Sequence, residues 1–366
     1  MSLRVLHLYP GAAFFTGAAV QLAELAQGLR ARGHHVVVAT HPSAVWTQKA
    51  RDLGLDHRPL PMPRLISLRS AWRLARLVRD EDIQVVHCHK GIARTHALVA
   101  SLRTRIPVLV LNRGVSFPLD RFNRLGYRTG RVTAIVAVCE SIRQGLIAQG
   151  VDPRKIHVIY SGTDTDRFRP GLDGAPVRRA LGLDPEAFVV TQIGVRSTKG
   201  NLDVLDAMPA VLARAPHARL LVVGARRPEA LRRRAQERGV AQALTVLGYR
   251  EDVPAILAAS DCCVDASVAG HGITGALREA LAVETAVIGT ALEGNPELIR
   301  PGETGLLVPP RDPEAIAAAI LALVADPDLR RRTARAGRRR VEAQFSLRVK
   351  LDRMEALYRR LLAGAA

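Results

Sequence analysis

The chain is short of aromatic residues, of paired cysteines and of acidic side chains, and each shortage removes a class of function. Aromatics make up 4% of the sequence. No RNA-recognition, OB-fold or helix-turn-helix pattern accompanies the many arginines, which argues against nucleic acid as a partner. The four cysteines, Cys88, Cys139, Cys262 and Cys263, form no CxxC pair and have no histidine spacing suited to zinc, so a reducing compartment is expected and a metal is not. No apolar run approaches the roughly twenty residues needed to cross a bilayer, the longest being the alanine-rich stretch 315–325. A secretory signal is not expected either, because residues 1–10 already read as a first strand. Acidic residues number 34 against 53 Lys and Arg, a net charge of +19. Folding alone gives a globular enzyme no reason to carry that excess. It asks for an anionic partner, such as membrane lipid or a phosphorylated acceptor, and it leans to the amino-terminal half of the chain.

What is present reads as α/β material. At 366 residues and 48% hydrophobic content the chain is long enough for two domains with separate cores. Residues 3–9 form a short apolar strand, a loop with Gly11 and Gly17 follows, and 19–32 carry a helical pattern closed by Gly33 before the strand 35–40. Strand, glycine loop and helix in that order open a Rossmann-like unit. Residues 67–79 repeat apolar positions at helical spacing with Arg69, Arg73, Arg76 and Arg79 on the other face, and a second basic cluster follows at Arg121, Arg124, Arg128 and Arg131. Together they suit either an anionic lipid surface or plain solvation. On the strand 83–89, His87 and His89 share one face and Cys88 takes the other. Both histidines are open to a structural or a contact role. Residues 155–170, punctuated by Gly162, Pro170 and Gly171, mark the best domain boundary.

Beyond that boundary the strand 187–194 runs into a loop holding Arg196 and Lys199 just before a helix. Two cations at the carboxyl end of a strand suit a diphosphate whose negative charge grows as it departs. Residues 261–267 read as another buried strand, and Gly270, Gly272 and Gly275 let the backbone turn into a helix that begins near Thr274. The first N–H groups of such a helix form an anion site. Glu279, further along it, is placed to accept two neighbouring hydroxyl protons from a ribose. The stretch reads as half of a nucleotide-sugar site or as a simple strand-to-helix turn.

Residues 294–299, 301–310 and 312–317 follow in an order that resembles the tail of the family 4 glycosyltransferases. That resemblance covers nearly the whole chain and implies the GT-B fold: α/β, with two Rossmann-like domains facing across a cleft. It places an acceptor-binding domain at 1–166, a nucleotide-sugar-binding domain at 167–345, and a last helix, 346–366, crossing back to the first domain. It implies a metal-independent transfer from a nucleotide-diphospho-sugar, with retention, to a lipid-linked, lipopolysaccharide or polysaccharide acceptor, by an enzyme peripheral to the cytoplasmic membrane face and needing no cofactor. Arg196 and Lys199 match the family's diphosphate cations, Gly17 its glycine loop, and Gly248, Tyr249 and Arg250 its base-binding loop. Gly272, Ile273 and Thr274 lie in its donor turn, and Glu279 matches the second glutamate of its signature pair. The chain departs from the pattern at two positions. His271 stands where the first glutamate belongs, as a candidate catalytic group, and Arg113 stands where relatives carry a histidine, as a candidate reader of acceptor phosphate. Those departures keep two other readings open, a non-catalytic nucleotide-sugar or glycan-binding protein and a GT-B epimerase.

Overall fold

The computed structural model describes residues 2–11, 16–63, 66–270 and 272–365. The chain divides into two compact units, one formed by residues up to Gly162 together with Leu347 onward, the other by Thr163–Ser346.

The first unit alternates strands and helices: β1 (Arg4–Tyr9), α1 (Gly17–Ala31), β2 (His35–Thr40), α2 (Ala44–Asp52), β3 (Asp56–Pro59), α3 (Leu68–Asp80), β4 (Val85–His89), α4 (Gly91–Ala100), β5 (Val108–Arg113), α5 (Arg121–Arg128), β6 (Ala134–Ala137), α6 (Glu140–Ala148) and β7 (Ile156–Val158). Among the described residues the sheet has the order β3-β2-β1-β4-β5-β6-β7, all parallel. Parallel sheets covered on both faces need strands apolar on both sides, and β1, β2 and β4 are accordingly buried almost throughout. β3 is the exception, a polar edge strand held by its register with β2.

The second unit continues with α7 (Ala175–Ala180), β8 (Phe188–Ile193), α8 (Asn201–Arg214), β9 (Ala218–Val223), α9 (Glu229–Glu237), β10 (Leu244–Leu247), α10 (Val253–Ala258), β11 (Cys262–Asp265), α11 (Gly275–Ala282), β12 (Ala286–Thr290), α12 (Asn295–Leu298), β13 (Leu306–Val308), α13 (Pro313–Ala325) and α14 (Pro327–Arg340). Its parallel sheet has the order β10-β9-β8-β11-β12-β13. The chain enters and leaves this unit side by side, where Thr163 bridges Ser346 and the Thr163 amide donates to the Phe345 carbonyl at 2.8 Å.

The last helix, α15 (Leu347–Ala363), completes the core of the first unit. Its Leu351, Met354, Leu357 and Tyr358 join Leu22, Leu25 and Leu29 of α1 in one buried cluster. Gly28 permits this close approach: a Cβ there would fall 2.4 Å from the Leu351 side chain. Lys350, also buried, donates from Nζ to the Gln21 carbonyl at 2.7 Å. Among the described residues no helix is long and apolar enough to cross a membrane.

Candidate functional site

The loops that follow β8 and β11 meet at the carboxyl edge of the second sheet, because these strands are neighbours. Gly200 makes the meeting possible. It has φ +60, and a Cβ on it would lie 2.0 Å from the Ala266 carbonyl oxygen. The preceding residue is thereby aimed into the sheet edge. Lys199 is only 6% exposed, and its Nζ lies 2.5 Å from Oδ2 of Asp265, itself 2% exposed at the end of β11. Asp265 Oδ1 also accepts from the Ser267 amide at 3.3 Å.

The two cations expected in this loop are both at the strand's carboxyl end, in different surroundings. Lys199 is neutralised by Asp265 inside the sheet edge, whereas Arg196 is exposed three residues earlier and lines an open pocket of about 320 Å³ with Arg227 and Arg311. The single chain of residues around Lys199 gave no sign of this, because Asp265 is 66 positions away in sequence.

Thr274 is the residue before α11 and Gly275 its first, so the helix starts where the glycine-rich turn placed it. No acidic side chain occupies its first turn, and Thr274 makes no side-chain cap. Helix N–H groups in the first turn lack intrahelical acceptors, and the helix dipole makes their end positive. Among the described residues the buried hydroxyls of Thr274 and Ser267 also have no hydrogen-bond partner. Gly272 and Ile273 are buried beside them. The Gly270 amide donates to Glu293 Oε1 at 2.9 Å, a contact the sequence did not signal. Glu279 lies on the second turn of α11, half-buried by its own surface; burial pushes its carboxyl upward, against Arg278, Arg167 and Lys199. His271 lies outside the described residues.

Farther along the same edge, Tyr249 is 72% exposed after β10, the Gly248 carbonyl accepts from the Gly224 amide at 3.0 Å, and Arg250 is tied to Asp252 at 2.5 Å. In the first unit Gly17 opens α1, and among the described residues nothing lies within 4 Å of where its Cβ would be. Arg113 ends β5 and donates to the Phe117 carbonyl, with Tyr127 as a second hydrogen-bond partner.

His87 and His89 share a face as the strand period requires, and His7 joins them from β1, its register partner being His87. Their ligand nitrogens lie within 4.8 Å of one another. The donor set is poorly suited to a cation. His87 and His89 stack with centroids 4.4 Å apart, which runs their in-plane lone pairs side by side, and Lys350 adds positive charge to all three. The four cysteines are buried and free, and burial raises the thiols of Cys88, Cys262 and Cys263, so none of those three is prepared as a nucleophile.

The family model for Glycosyltransferase Family 4 matches residues 15–167, and that for Glycosyl transferases group 1 matches residues 185–326. The D-inositol 3-phosphate glycosyltransferase of Segniliparus rotundus is 34% identical over 260 residues, 68% of this chain and 57% of that protein. The GDP-mannose-dependent monoacylated alpha-(1-6)-phosphatidylinositol monomannoside mannosyltransferase of Corynebacterium glutamicum is 29% identical over 330 residues, 83% of this chain and 84% of that protein. The chain spans about half the length of the first curated relatives it matches, 57% of the Segniliparus protein and 41% of its Rhodococcus jostii counterpart. Among solved structures, a glycosyltransferase from Rickettsia africae superposes with a TM-score of 0.89 at 20% identity, covering 98% of this chain and 99% of that one. Anabaena HepE in complex with UDP-glucose gives 0.86 at 18% identity, covering 97% and 99%. The solved structures share its GT-B fold, and with the two family models on either side of the interdomain crossing the chain belongs to the family 4 glycosyltransferases.

Proposed function

We propose that the protein transfers a sugar from a nucleotide-diphospho-sugar to a lipid-linked, lipopolysaccharide or polysaccharide acceptor, with retention of the anomeric configuration. The observation that carries this reading is the convergence of Lys199, Arg196 and the uncapped amino terminus of α11 on one sheet edge. Cleavage of the bond between the anomeric carbon and the phosphate oxygen leaves charge on the diphosphate. Lys199, Arg196 and the N–H groups after Thr274 are the groups given the task of receiving it. Glu279 takes the ribose hydroxyls, and Gly248, Tyr249 and Arg250 hold the base. Gly17 lets backbone approach the sugar, and His271 is assigned to the donor, accepting a sugar hydroxyl if neutral or favouring the leaving diphosphate if protonated. Arg113 is assigned to the acceptor. Retention requires the acceptor hydroxyl to attack from the face the diphosphate leaves, so the departing oxygen is placed to take the hydroxyl proton.

The names of the relatives support this reading, since the Corynebacterium protein is called GDP-mannose-dependent and HepE is a complex with UDP-glucose. The test is donor consumption in the presence of lipid and saccharide acceptors, with the product's anomeric configuration read by NMR. A UDP- or GDP-sugar should be consumed only with acceptor, giving the donor's own configuration. Turnover without acceptor would indicate epimerisation. Tight donor binding without turnover on any acceptor would favour a binding protein, the reading to which His271 in the glutamate's position lends weight.

We also propose peripheral attachment to an anionic membrane surface, at the cytoplasmic face. Helix α5 exposes Phe122 at 63% and Leu125 at 70% between exposed Arg121, Arg124 and Arg128. Helix α3 exposes Leu68 and Trp72 beside Arg69, Arg73 and Arg76, and both helices pack on α4. Apolar side chains among arginines suit the headgroup boundary of a bilayer. Cosedimentation with phosphatidylglycerol vesicles should therefore weaken between 0.1 M and 1 M salt, as the Debye length falls from about 10 Å to about 3 Å. Phe122→Ser with Leu125→Ser should lower the bound fraction further. Equal sedimentation with neutral vesicles, or no dependence on salt, would count against attachment by charge.

A further inference from the structure

We propose that the pocket at the amino-terminal ends of α8, α9 and α13 is a second anion site, built for the phosphate ester of a small polyol and separate from the place assigned above to the donor diphosphate. The pocket, about 320 Å³, is lined by Arg196, Arg227, Arg311, Asp203, Leu202 and Leu231 among others. Arg196, assigned above to the donor, stands at the border of the two; Lys199, Thr274, Glu279 and the loop after β10 do not line the pocket, whose own cations are Arg227 and Arg311.

Three guanidinium groups come to one opening from three different loops, and among the described residues none of them is held by a hydrogen bond or ion pair. Their neighbours are placed otherwise. Asp206 of α8 is occupied by Arg234 and Arg238 at 2.7 and 2.8 Å, and Asp312 caps α13 by accepting from the Ala315 amide at 2.9 Å. Among the lining residues Asp203 is the carboxylate, so three fixed positive charges face one negative charge. Unpaired like charges gathered at one opening repel, and a dianion relieves that repulsion. The planar fork of arginine matches phosphate oxygens two at a time.

Arg311 holds φ +59 without being glycine, in the turn before α13. The space exceeds that of a bare phosphate. Leu202 and Leu231 offer an apolar floor for a carbon skeleton, and Asp203 accepts hydroxyl hydrogen bonds at the rim.

Isothermal calorimetry on the full chain, with inorganic phosphate and ribose 5-phosphate as probes at fixed ionic strength, tests the site against sodium chloride as control. Saturable binding is expected, tighter for the sugar phosphate. Arg227→Gln and Arg311→Gln should each weaken it about tenfold, the usual scale for a charge-assisted hydrogen bond. Both positions are exposed, so the variants should keep the wild-type melting temperature. Glu279→Gln, at a half-buried position that does not line the pocket, should leave phosphate binding intact while it weakens UDP or GDP, which separates this site from the donor reading. Phosphate should still bind with UDP or GDP at saturation. The proposal is overturned by absence of saturable binding at millimolar probe, by unchanged affinity in both arginine variants, or by displacement of phosphate when the nucleotide binds, which would make the pocket part of the donor site.

Discussion

Replacing Lys199 with methionine is expected to destabilise the unit formed by residues 163–346 by roughly 3–5 kcal/mol, the usual cost of breaking a buried ion pair from one side. The ammonium and the Asp265 carboxylate are both almost fully buried, at 7% and 2% side-chain exposure, and lie 2.5 Å apart. Removing the cation leaves the carboxylate in the sheet edge without its ammonium, and Asp265→Asn should cost a similar amount for the converse reason. Combining Lys199→Met with Asp265→Asn should recover much of the loss, because the pair is nearer to neutral against uncharged replacements than either half is alone. Denaturant unfolding of the four proteins measures this. Additive single-variant losses would show that the pair does not act as a unit. Arg196→Ala provides the contrast. Arg196 is exposed, so its loss should change stability by less than about 0.5 kcal/mol. On the proposed function its loss should nevertheless lower turnover by on the order of 2.7–4 kcal/mol of transition-state stabilisation. An Arg196→Ala enzyme with unchanged kcat/KM would remove that side chain from the site.

The contrast between Lys199 and Arg196 marks how far the sequence could be read. The strand, the loop and the start of α8 were visible because β8 is a compact apolar run and Gly200 punctuates it. The start of α11 was visible for the same reason, through the glycines of its turn. Which of two cations three residues apart would face solvent was not visible. That is decided by Asp265, supplied by a strand that becomes a neighbour only through the order β8-β11. Glu293 was missed for a like reason, since its contact to Gly270 spans two loops.

The edge strand β3 was the weak point of the fold reading. β3 carries Asp56, His57, Arg58 and Pro59, with no apolar pattern, and exists through its backbone pairing with β2. The arginines divided in a similar way. Spacing alone placed Arg69, Arg73 and Arg76 on the exposed face of α3, because helical period decides that locally. It gave no hint that Arg227 and Arg311 meet at one pocket, since helices from separated strands must first pack together.

Acid should destabilise the first unit well before its carboxylates titrate, because it holds three histidines neutral in its core. The strand period already set His87 and His89 on one face; the β1-β4 register adds His7, and α15 covers them with Tyr358, whose hydroxyl lies 2.6 Å from His87 Nδ1. Burial lowers the pKa of each. His7 falls to about 3, helped by Lys350; His87 is lowered by burial and then by His7 and Lys350, and His89 by burial and then by both histidines and Lys350. A depressed folded-state pKa means that the unfolded chain binds more protons below the reference value near 6.5. The stability these groups permit is thus complete above pH 6.5 and is lost as pH falls toward the folded values. From pH 7 to pH 5.5 the loss is about 1 kcal/mol for His7, and His87 and His89 add to it in the same direction. His57 and His157, half-buried and also lowered, add to it in the same direction. Ion-paired carboxylates such as Glu355, held at about 2 by Arg359 and Arg32, lose their contribution only at lower pH, so this window isolates the histidines. Urea unfolding followed at pH 7.0, 6.0 and 5.5 should show the slope. His89→Asn should lessen it by about one proton's share, whatever the substitution does to stability at pH 7. A stability that stays flat to pH 5.5 would mean that the cluster accepts protons in the folded state and that its burial does not keep it neutral.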